Sequence, residues 1–325
     1  MKNPPLVTIG LTCFNCEKTI ERALFSAIKQ DYKNIELLIV DDNSSDSTIL
    51  KISSLLSKNK IQYKIIKHNS NLGVAAARNT LLKNAKGEFL AFFDSDDFSY
   101  KNRISNQVSF IKDFEDNFLE KEKTFKYSPI CYADREIYFK NNKKIFCKAM
   151  NIEKEDYKLK DEIIGSLLFC NPFPKNSDSG STATCMLCSR KKTLNFLNGF
   201  EARLRRYEDL DLAIRAMMKN VPICKVNKIL VKQFYTFSDY KKNDYRYEIR
   251  LIYQHRRWLR RKGLYEFSIY FSRFKMNLLK FNIKNLIYYL FLLLVKKPNL
   301  FYKKILSTFN TIFFTLKINL FRFFI

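Results

Sequence analysis

Three carboxylates, Asp94, Asp96 and Asp97, follow directly on an apolar run in EFLAFFDSDDF, residues 88–98. An Asp-x-Asp step at the end of a strand offers two carboxylates to one hard divalent cation. Mg2+ or Mn2+ held in this way keeps positions open for phosphate oxygens. Two more polar clusters end apolar runs, Thr12-Cys13-Phe14-Asn15 and Asp41-Asp42-Asn43-Ser44, and Glu208, Asp209 and Asp211 stand just ahead of the apolar stretch LAIRAMM. Each cluster alone reads equally well as a turn or a helix cap. Only two histidines, His68 and His255, are present, so a proton acceptor is sought among the carboxylates and a Ser-His triad has little support. Two Cys-x-x-Cys pairs, Cys13/Cys16 and Cys185/Cys188, have zinc-ligand spacing but lie about 170 residues apart in segments that look like strand ends. They are read as small buried hydrophobes.

The elements that must carry these clusters follow from hydrophobic periodicity. LVTIGLTCF (6–14), NIELLIV (34–40), IQYKIIK (61–67) and EFLAFF (88–93) are short apolar runs without helical period, hence strands. Between them, NCEKTIERALFSAIKQ, TILKISSLLSK and NLGVAAARNTLLKNAKG read as helices. Strands alternating with helices at this spacing predict an α/β fold, a doubly wound and mostly parallel sheet. Ligands of such sheets bind at the carboxyl ends of the strands. Three of the polar clusters sit at such ends, and three on one rim argue for a site where one would not. Further on, YSPICYAD, EIYFKNNKKIFCKAM and SGSTATCMLCS read as strands, and EKEDYKLKDEIIGSLL as a helix.

Four pieces, VTIGLTCFN, IELLIVDDNSSDST, HNSNLGVAAARNTLLKNAKGEFLAFFDSDD and GFEARLRRYEDLDLAIR, occur in that order over roughly residues 6–220. With this order and spacing the chain resembles the family-2 glycosyltransferases, nucleotide-sugar-dependent enzymes of the Rossmann-like GT-A fold. Thr12-Cys13 stands where many members have Pro-Thr. The resemblance implies that Thr12 and Phe14 line the nucleobase pocket, Phe14 against the base face, with Asn15 and Ser95 also in the nucleotide-sugar site. It implies that Asp42 hydrogen-bonds the base while Asp41 supports the turn, and that Arg78 lies near the base or diphosphate; a structural ion pair is the other reading of Arg78. Asp94 would approach the ribose and share in a metal site with Asp96 and Asp97, Asp96 being the main ligand of Mn2+ or Mg2+. Asp209 would take the proton from the acceptor hydroxyl, with Glu208 and Asp211 as rivals, Asp211 serving alternatively as a helix cap. The implied reaction is a single inverting displacement on a nucleotide-diphosphate sugar, uridine diphosphate being the default. The implied acceptor is a lipid-linked or membrane-borne glycan, as in lipopolysaccharide, capsule or exopolysaccharide assembly.

The charge is uneven. The whole chain carries 58 Lys and Arg against 32 Asp and Glu, a net charge of +26, and residues 250–325 hold sixteen of the cations and a single acid, Glu266. That balance calls for an anionic partner. The tail mixes its cations with long apolar faces. NLIYYLFLLLV (285–295) is about half a bilayer span, and Phe301, Ile305, Phe309, Ile312, Leu316, Leu320 and Phe323 fall on one helical stripe, with Lys303, Lys304, Lys317 and Arg322 elsewhere on the wheel. This describes an in-plane helix on an anionic membrane surface. The alternative is packing on the rest of the protein. Gln254-His255-Arg256-Arg257-Trp258 matches the Gln-x-x-Arg-Trp motif of processive family members, but in a basic helical stretch it reads first as an interfacial helix with an anchoring Trp. The expected organisation is a catalytic domain over 1–235 and a basic, aromatic-rich, membrane-associating helical region over 236–325. No apolar secretory run opens MKNPPLVTIG, so the expected location is cytoplasmic, peripheral on the cytoplasmic face of the inner membrane, with mostly free thiols. Two rival classes are a non-enzymatic nucleic-acid-binding protein, for which no recognised motif is present, and a metal-dependent nucleotidyltransferase, which leaves Asp209 without a role.

Overall fold

A computed structural model describes residues 3–58, 61–123, 125–139, 143–152, 155–169, 180–235 and 245–305. The N-terminal run alternates as expected: β1 (Val7–Cys13), α1 (Ile20–Ile28), β2 (Ile35–Asp41), α2 (Thr48–Ser57), β3 (Tyr63–Lys67), α3 (Val74–Asn84) and β4 (Phe89–Asp94). β1 is buried along its whole length, and β2 and β4 nearly so, as a parallel sheet covered on both faces requires. Ile9, Leu11, Leu37, Ile39, Phe89 and Ala91 meet Ile20, Leu24 and Ile52 from the helices in one core.

The chain continues through β5 (Phe98–Ser99), α4 (Arg103–Phe114), β6 (Ile130–Tyr138), β7 (Lys144–Cys147), α5 (Lys160–Leu167), β8 (Cys188–Arg190), α6 (Lys191–Phe196), α7 (Glu208–Met218) and β9 (Ile223–Phe234). Among the described residues one sheet runs β3-β2-β1-β4-β8-β6-β9-β5, with β7 beside β6. It is parallel across β3-β2-β1-β4 and mixed beyond, where β8 runs antiparallel to both β4 and β6.

The segment expected as one strand over 179–189 is different. Thr184–Met186 forms a short 3-10 turn, and only Cys188–Arg190 pairs as β8. Buried side chains from α4 occupy the carbonyls that a longer strand would present. Arg103 Nη2 donates to Phe92 O (2.9 Å) and Leu187 O (3.3 Å), and Gln107 Nε2 donates to Met186 O (2.8 Å) and Cys131 O (3.0 Å). A fully buried guanidinium must find such acceptors, and here they bind the turn to the end of β4.

The described residues fall into two compact units, one drawn from 1–155 and 178–240, the other from 156–177 and 241–325. The second contains α5 with α8 (Tyr245–Gln254), α9 (Arg256–Arg261), α10 (Tyr265–Leu279) and α11 (Ile283–Lys296). Inside it, Lys275 pairs with the buried Glu248 at 2.8 Å and Lys262 with Asp161 at 2.5 Å. The Gln254–Trp258 stretch straddles the break between α8 and α9, with His255 buried at the junction. On α11 only Leu293 is buried, and Ile283, Ile287, Tyr288, Phe291, Leu294 and Val295 are exposed. Phe301, expected on the apolar stripe, is buried near Phe271 and Phe274. Stripe residues from 306 on lie outside the described residues. No helix among the described residues is long and apolar enough to cross a membrane.

Candidate active site

Sheet register places the polar clusters on one rim. Cys13 lies opposite Asp41 across β1 and β2, and Thr12 opposite Asp94 across β1 and β4. The β1 turn is fastened to the β2 turn: Asp42 N donates to Cys13 O (2.8 Å), Asn15 N to Ser44 Oγ (2.9 Å), and Ser45 N to Asn15 Oδ1 (2.9 Å). Phe14, 46% exposed, is left standing on that turn. Thr12 is buried.

Both acids that end β2 are engaged inside the protein. Asp41 accepts from the Ser44 amide and hydroxyl and from the Cys13 thiol. Asp42 accepts from the amides of Leu72 (2.9 Å) and Gly73 (2.7 Å) and meets the His68 ring at 2.7 Å, which in turn meets Thr80. Gly73 sits at φ +92° as the N-cap of α3, a conformation open to glycine. Asp42 thus fixes the loop that launches α3 and thereby aims Arg78.

Arg78 is buried between two carboxylates. Its Nη2 donates to Asp94 Oδ1 (3.0 Å) and its Nη1 to Glu208 Oε1 (2.6 Å). Burial alone would lower its pKa, but the Asp94 and Glu208 charges raise it above the ordinary value. The ion-pair reading of Arg78 is what these contacts show, and the bond to Asp94 holds its guanidinium at the end of β4. Glu208 is consumed by this pair. Its neighbour Asp209, in the first turn of α7, keeps a half-buried carboxylate whose Oδ1 accepts from the Leu210 amide at 2.7 Å. Burial first, and then the Glu208 charge, push Asp209 up to about 7 against the pull of that amide and of Arg78 and Arg135. A carboxylate at that value is half ionised near neutrality, as a general base needs. Asp211 is fully buried and pairs with Arg215 at 2.7 Å, and Arg215 also donates to Leu197 O and Gly199 O. It clamps α7 to the preceding loop.

At the end of β4, Asp94 and Asp97 gather with Cys185, one ligand atom of each lying within 4.8 Å of the others. Asp97 is buried; its Oδ1 accepts from Phe234 N (3.1 Å), while its Oδ2 has no hydrogen-bond partner. Burial, then the Asp94 and Asp96 charges, hold Asp97 well above the usual carboxylate range. A buried carboxylate oxygen without a partner, next to further ligand atoms, suits a divalent cation. Asp96 lies outside that trio; its carbonyl accepts from Arg22, whose guanidinium stacks over Phe234 at 3.6 Å. Ser95 is half-buried in the same loop.

Two residues beside the site escape the sequence reading. Cys185 approaches the carboxylates only because Arg103 and Gln107 hold the 184–187 turn, and no spacing signals that. Arg22 reads as one cation of an amphipathic helix, and its place beside Asp96 depends on the packing of α1. The Cys13/Cys16 and Cys185/Cys188 pairs are four free thiols, Cys16 alone among them half-buried.

Comparison with known proteins places this arrangement. Residues 8–125 match the family model described as glycosyl transferase family 2. Over 120 residues, 37% of this chain and 43% of the other, the chain is 42% identical to the UDP-Glc:alpha-D-GlcNAc-diphosphoundecaprenol beta-1,3-glucosyltransferase WfaP of Escherichia coli. It is 33% identical over 112 residues to the putative glycosyltransferase EpsE of Bacillus subtilis, covering 34% of this chain and 40% of that one. The chain therefore spans less than half the length of these curated relatives. Among solved structures, S. aureus TarS 1–349 in complex with UDP-GlcNAc superposes with a TM-score of 0.56 at 20% identity, over 76% of this chain and 64% of that one, which is a likeness of fold. Residues 8–125 thus match the glycosyl transferase family 2 model, and the α/β sheet around them is like that of the solved neighbour.

Proposed function

We propose that the protein is an inverting glycosyltransferase that moves a sugar from a nucleotide-diphosphate donor, a UDP-sugar, to a hydroxyl of a lipid-linked or membrane-borne glycan. One observation carries this reading. Asp209, raised to about 7, shares the guanidinium-linked rim of Asp94, where the family motif would seat the donor. Phe14 stacks on the base, Thr12 and Asn15 shape its turn, Asp41 holds that turn from beneath, and Asp42 holds the loop ahead of α3. Asp94 and Ser95 face the ribose and diphosphate, and Arg78 sets the separation between Asp94 and the α7 terminus. Asp94, Asp96 and Asp97 would hold Mn2+ or Mg2+, which when bound supplies Lewis-acid stabilisation of the departing diphosphate. Asp209 takes the acceptor proton from the face opposite the leaving group, so one displacement inverts the anomeric carbon. Glu208, neutralised by Arg78, positions Asp209 and raises its basicity.

The lipid-linked acceptor is supported by the E. coli relative, whose name specifies a diphosphoundecaprenol-linked substrate. A membrane-facing surface is supported by α11, where Ile283, Ile287, Phe291 and Val295 are exposed together with Lys284, Lys296 and Lys297. Apolar side chains with a basic rim suit an anionic bilayer surface, here the cytoplasmic leaflet. The test is a screen of nucleotide sugars for metal-dependent turnover with mass analysis of the product formed on a polyprenyl-diphosphate glycan. Retention of oligonucleotides without any turnover would favour the nucleic-acid reading, and nucleotidyl transfer with Asp209→Asn fully active would favour the other enzymatic one.

A further inference from the structure

Cys185 is the residue beside the rim that the reaction above leaves without a role. It is buried in the 3-10 turn Thr184–Met186, and its sulfur lies within 4.8 Å of a carboxylate oxygen of Asp94 and of one of Asp97. Among the described residues no other group of three such ligand atoms gathers this closely. The turn is held by three buried side chains. Gln107 and Arg103 bind the carbonyls of Met186 and Leu187, and Arg135, on β6, donates through Nη1 to Ser181 Oγ (2.8 Å) and to Met186 Sδ (3.3 Å). The place of the thiol is therefore built into the fold.

A cysteine buried only for its small apolar bulk needs no polar neighbour. This one faces acids. Asp97 is 4% exposed; its Oδ1 accepts from Phe234 N, and its Oδ2 is buried without a hydrogen-bond partner. Asp94 gives its Oδ1 to Arg78. A buried carboxylate oxygen left unpaired is costly until a donor or a cation completes it. One cation among the two acids and the sulfur completes all three ligand atoms together. The Asp94 side chain is 25% exposed, so the group opens to solvent on that side.

We infer that Cys185 is a metal ligand, which with Asp94 and Asp97 makes a mixed carboxylate–thiolate site that holds Mn2+ more tightly than Mg2+ and Cd2+ more tightly than either. The inference rests on the cation site of the proposed reading and adds to it the ligand that selects the cation. Mg2+ demands oxygen ligands in near-ideal octahedral geometry, which a sulfur disturbs, whereas a thiolate matches softer ions. On binding, the Cys185 S–H bond breaks, the sulfur–metal bond forms and the proton passes to water. No electron is transferred, and no further reactant is needed.

The full chain, reduced and stripped of metal, is titrated by calorimetry with Mn2+, Mg2+ and Cd2+ in turn, and the sulfur-to-cadmium charge-transfer absorption is followed in the ultraviolet. Mn2+ should bind about 10-fold more tightly than Mg2+, and Cd2+ at least about 10-fold more tightly than Mn2+. In Cys185→Ser, and in Cys185→Ala should the first fold poorly by circular dichroism, the Cd2+ advantage over Mn2+ should fall below about 3-fold and part of the absorption should vanish. The other cysteines are thiols too, so Asp97→Asn identifies the site: it removes no sulfur, yet should lose the same part of the absorption. An unchanged Cd2+ advantage and absorption in the Cys185 variants would overturn the inference, and Mn2+ binding by those variants would leave the cation site of the proposed reading standing. Full absorption in Asp97→Asn would likewise overturn it, by placing the responding sulfur elsewhere. If none of the three ions binds the unaltered chain, the cation site itself falls and the inference falls with it.

Discussion

Asp209 and Glu208 are adjacent carboxylates at one helix start, and they differ because only Glu208 has a guanidinium partner. On the proposed reading that difference separates their roles, and it is testable. Asp209→Asn should lower kcat by about 100-fold or more with UDP affinity unchanged, as expected for a base that touches only the acceptor. If Asp209 is the base, it must be deprotonated to act; raised to about 7, it should make kcat/KM of the unaltered protein climb about tenfold per pH unit below that value and level off above it. A profile that is flat from pH 5 to 8, roughly a carboxylate with its ordinary value, would move the base elsewhere. Arg78→Met leaves Asp94 and Glu208 without a counter-charge in a buried setting and should cost about 3–5 kcal/mol in urea unfolding. Arg78→Lys, a point cation without the planar fork, should fall between. Asp96→Asn tests the metal, with near-complete loss of turnover and an unchanged circular dichroism spectrum. Full turnover of the unaltered chain in excess chelator would count against any cation at this rim.

The strands and helices that carry these residues were legible to different degrees. β1, β2 and β4 announce themselves as apolar runs with polar ends, and their parallel register then brings Cys13, Asp41 and Asp94 to one rim. The Asp211–Arg215 pair has the i, i+4 spacing of a helix, yet the sequence reading offered Asp211 as a cap or rival base. Its zero exposure and the two loop carbonyls bound by Arg215 come only from packing. The 179–189 segment misled for a similar reason: its composition suits a strand, and buried groups on α4 divert it into the turn that presents Cys185. Gly87 shows how tightly the β4 entrance is made. A Cβ there would stand 2.5 Å from Thr8 N and 2.7 Å from Phe89 O, backbone atoms that cannot step aside. Gly87→Ala should therefore destabilise by about 1–3 kcal/mol, read from the urea midpoint, because overpacked sites must shift their surroundings.

On the scale of the whole chain, cationic excess and apolar exposure coincide in the second unit, as the composition of 250–325 suggested. The part now visible differs from the stripe singled out in the sequence: Phe301 is buried, and α11 supplies the exposed apolar side chains. Replacing Ile287 and Phe291 together by Glu should release the full chain from anionic liposomes, as each added acid reverses about 1 kcal/mol of surface attraction besides the lost insertion. Flotation equal to that of the unaltered chain at low and high salt would exclude α11 as the anchor. The second unit is also discontinuous, drawing α5 from the middle of the chain and α8–α11 from its end. That has a consequence for synthesis. Ile163 and Ile164, fully or almost fully buried in the folded chain, leave the ribosome well before α8–α11 exist. At about 5–20 residues per second the more than sixty intervening residues keep α5 without the rest of its unit for several seconds. A nascent chain stalled before residue 241 should therefore be protease-sensitive across 156–169 and become protected once α10 has emerged. Protection of that segment in the shorter chain would show that α5 has found its place unaided.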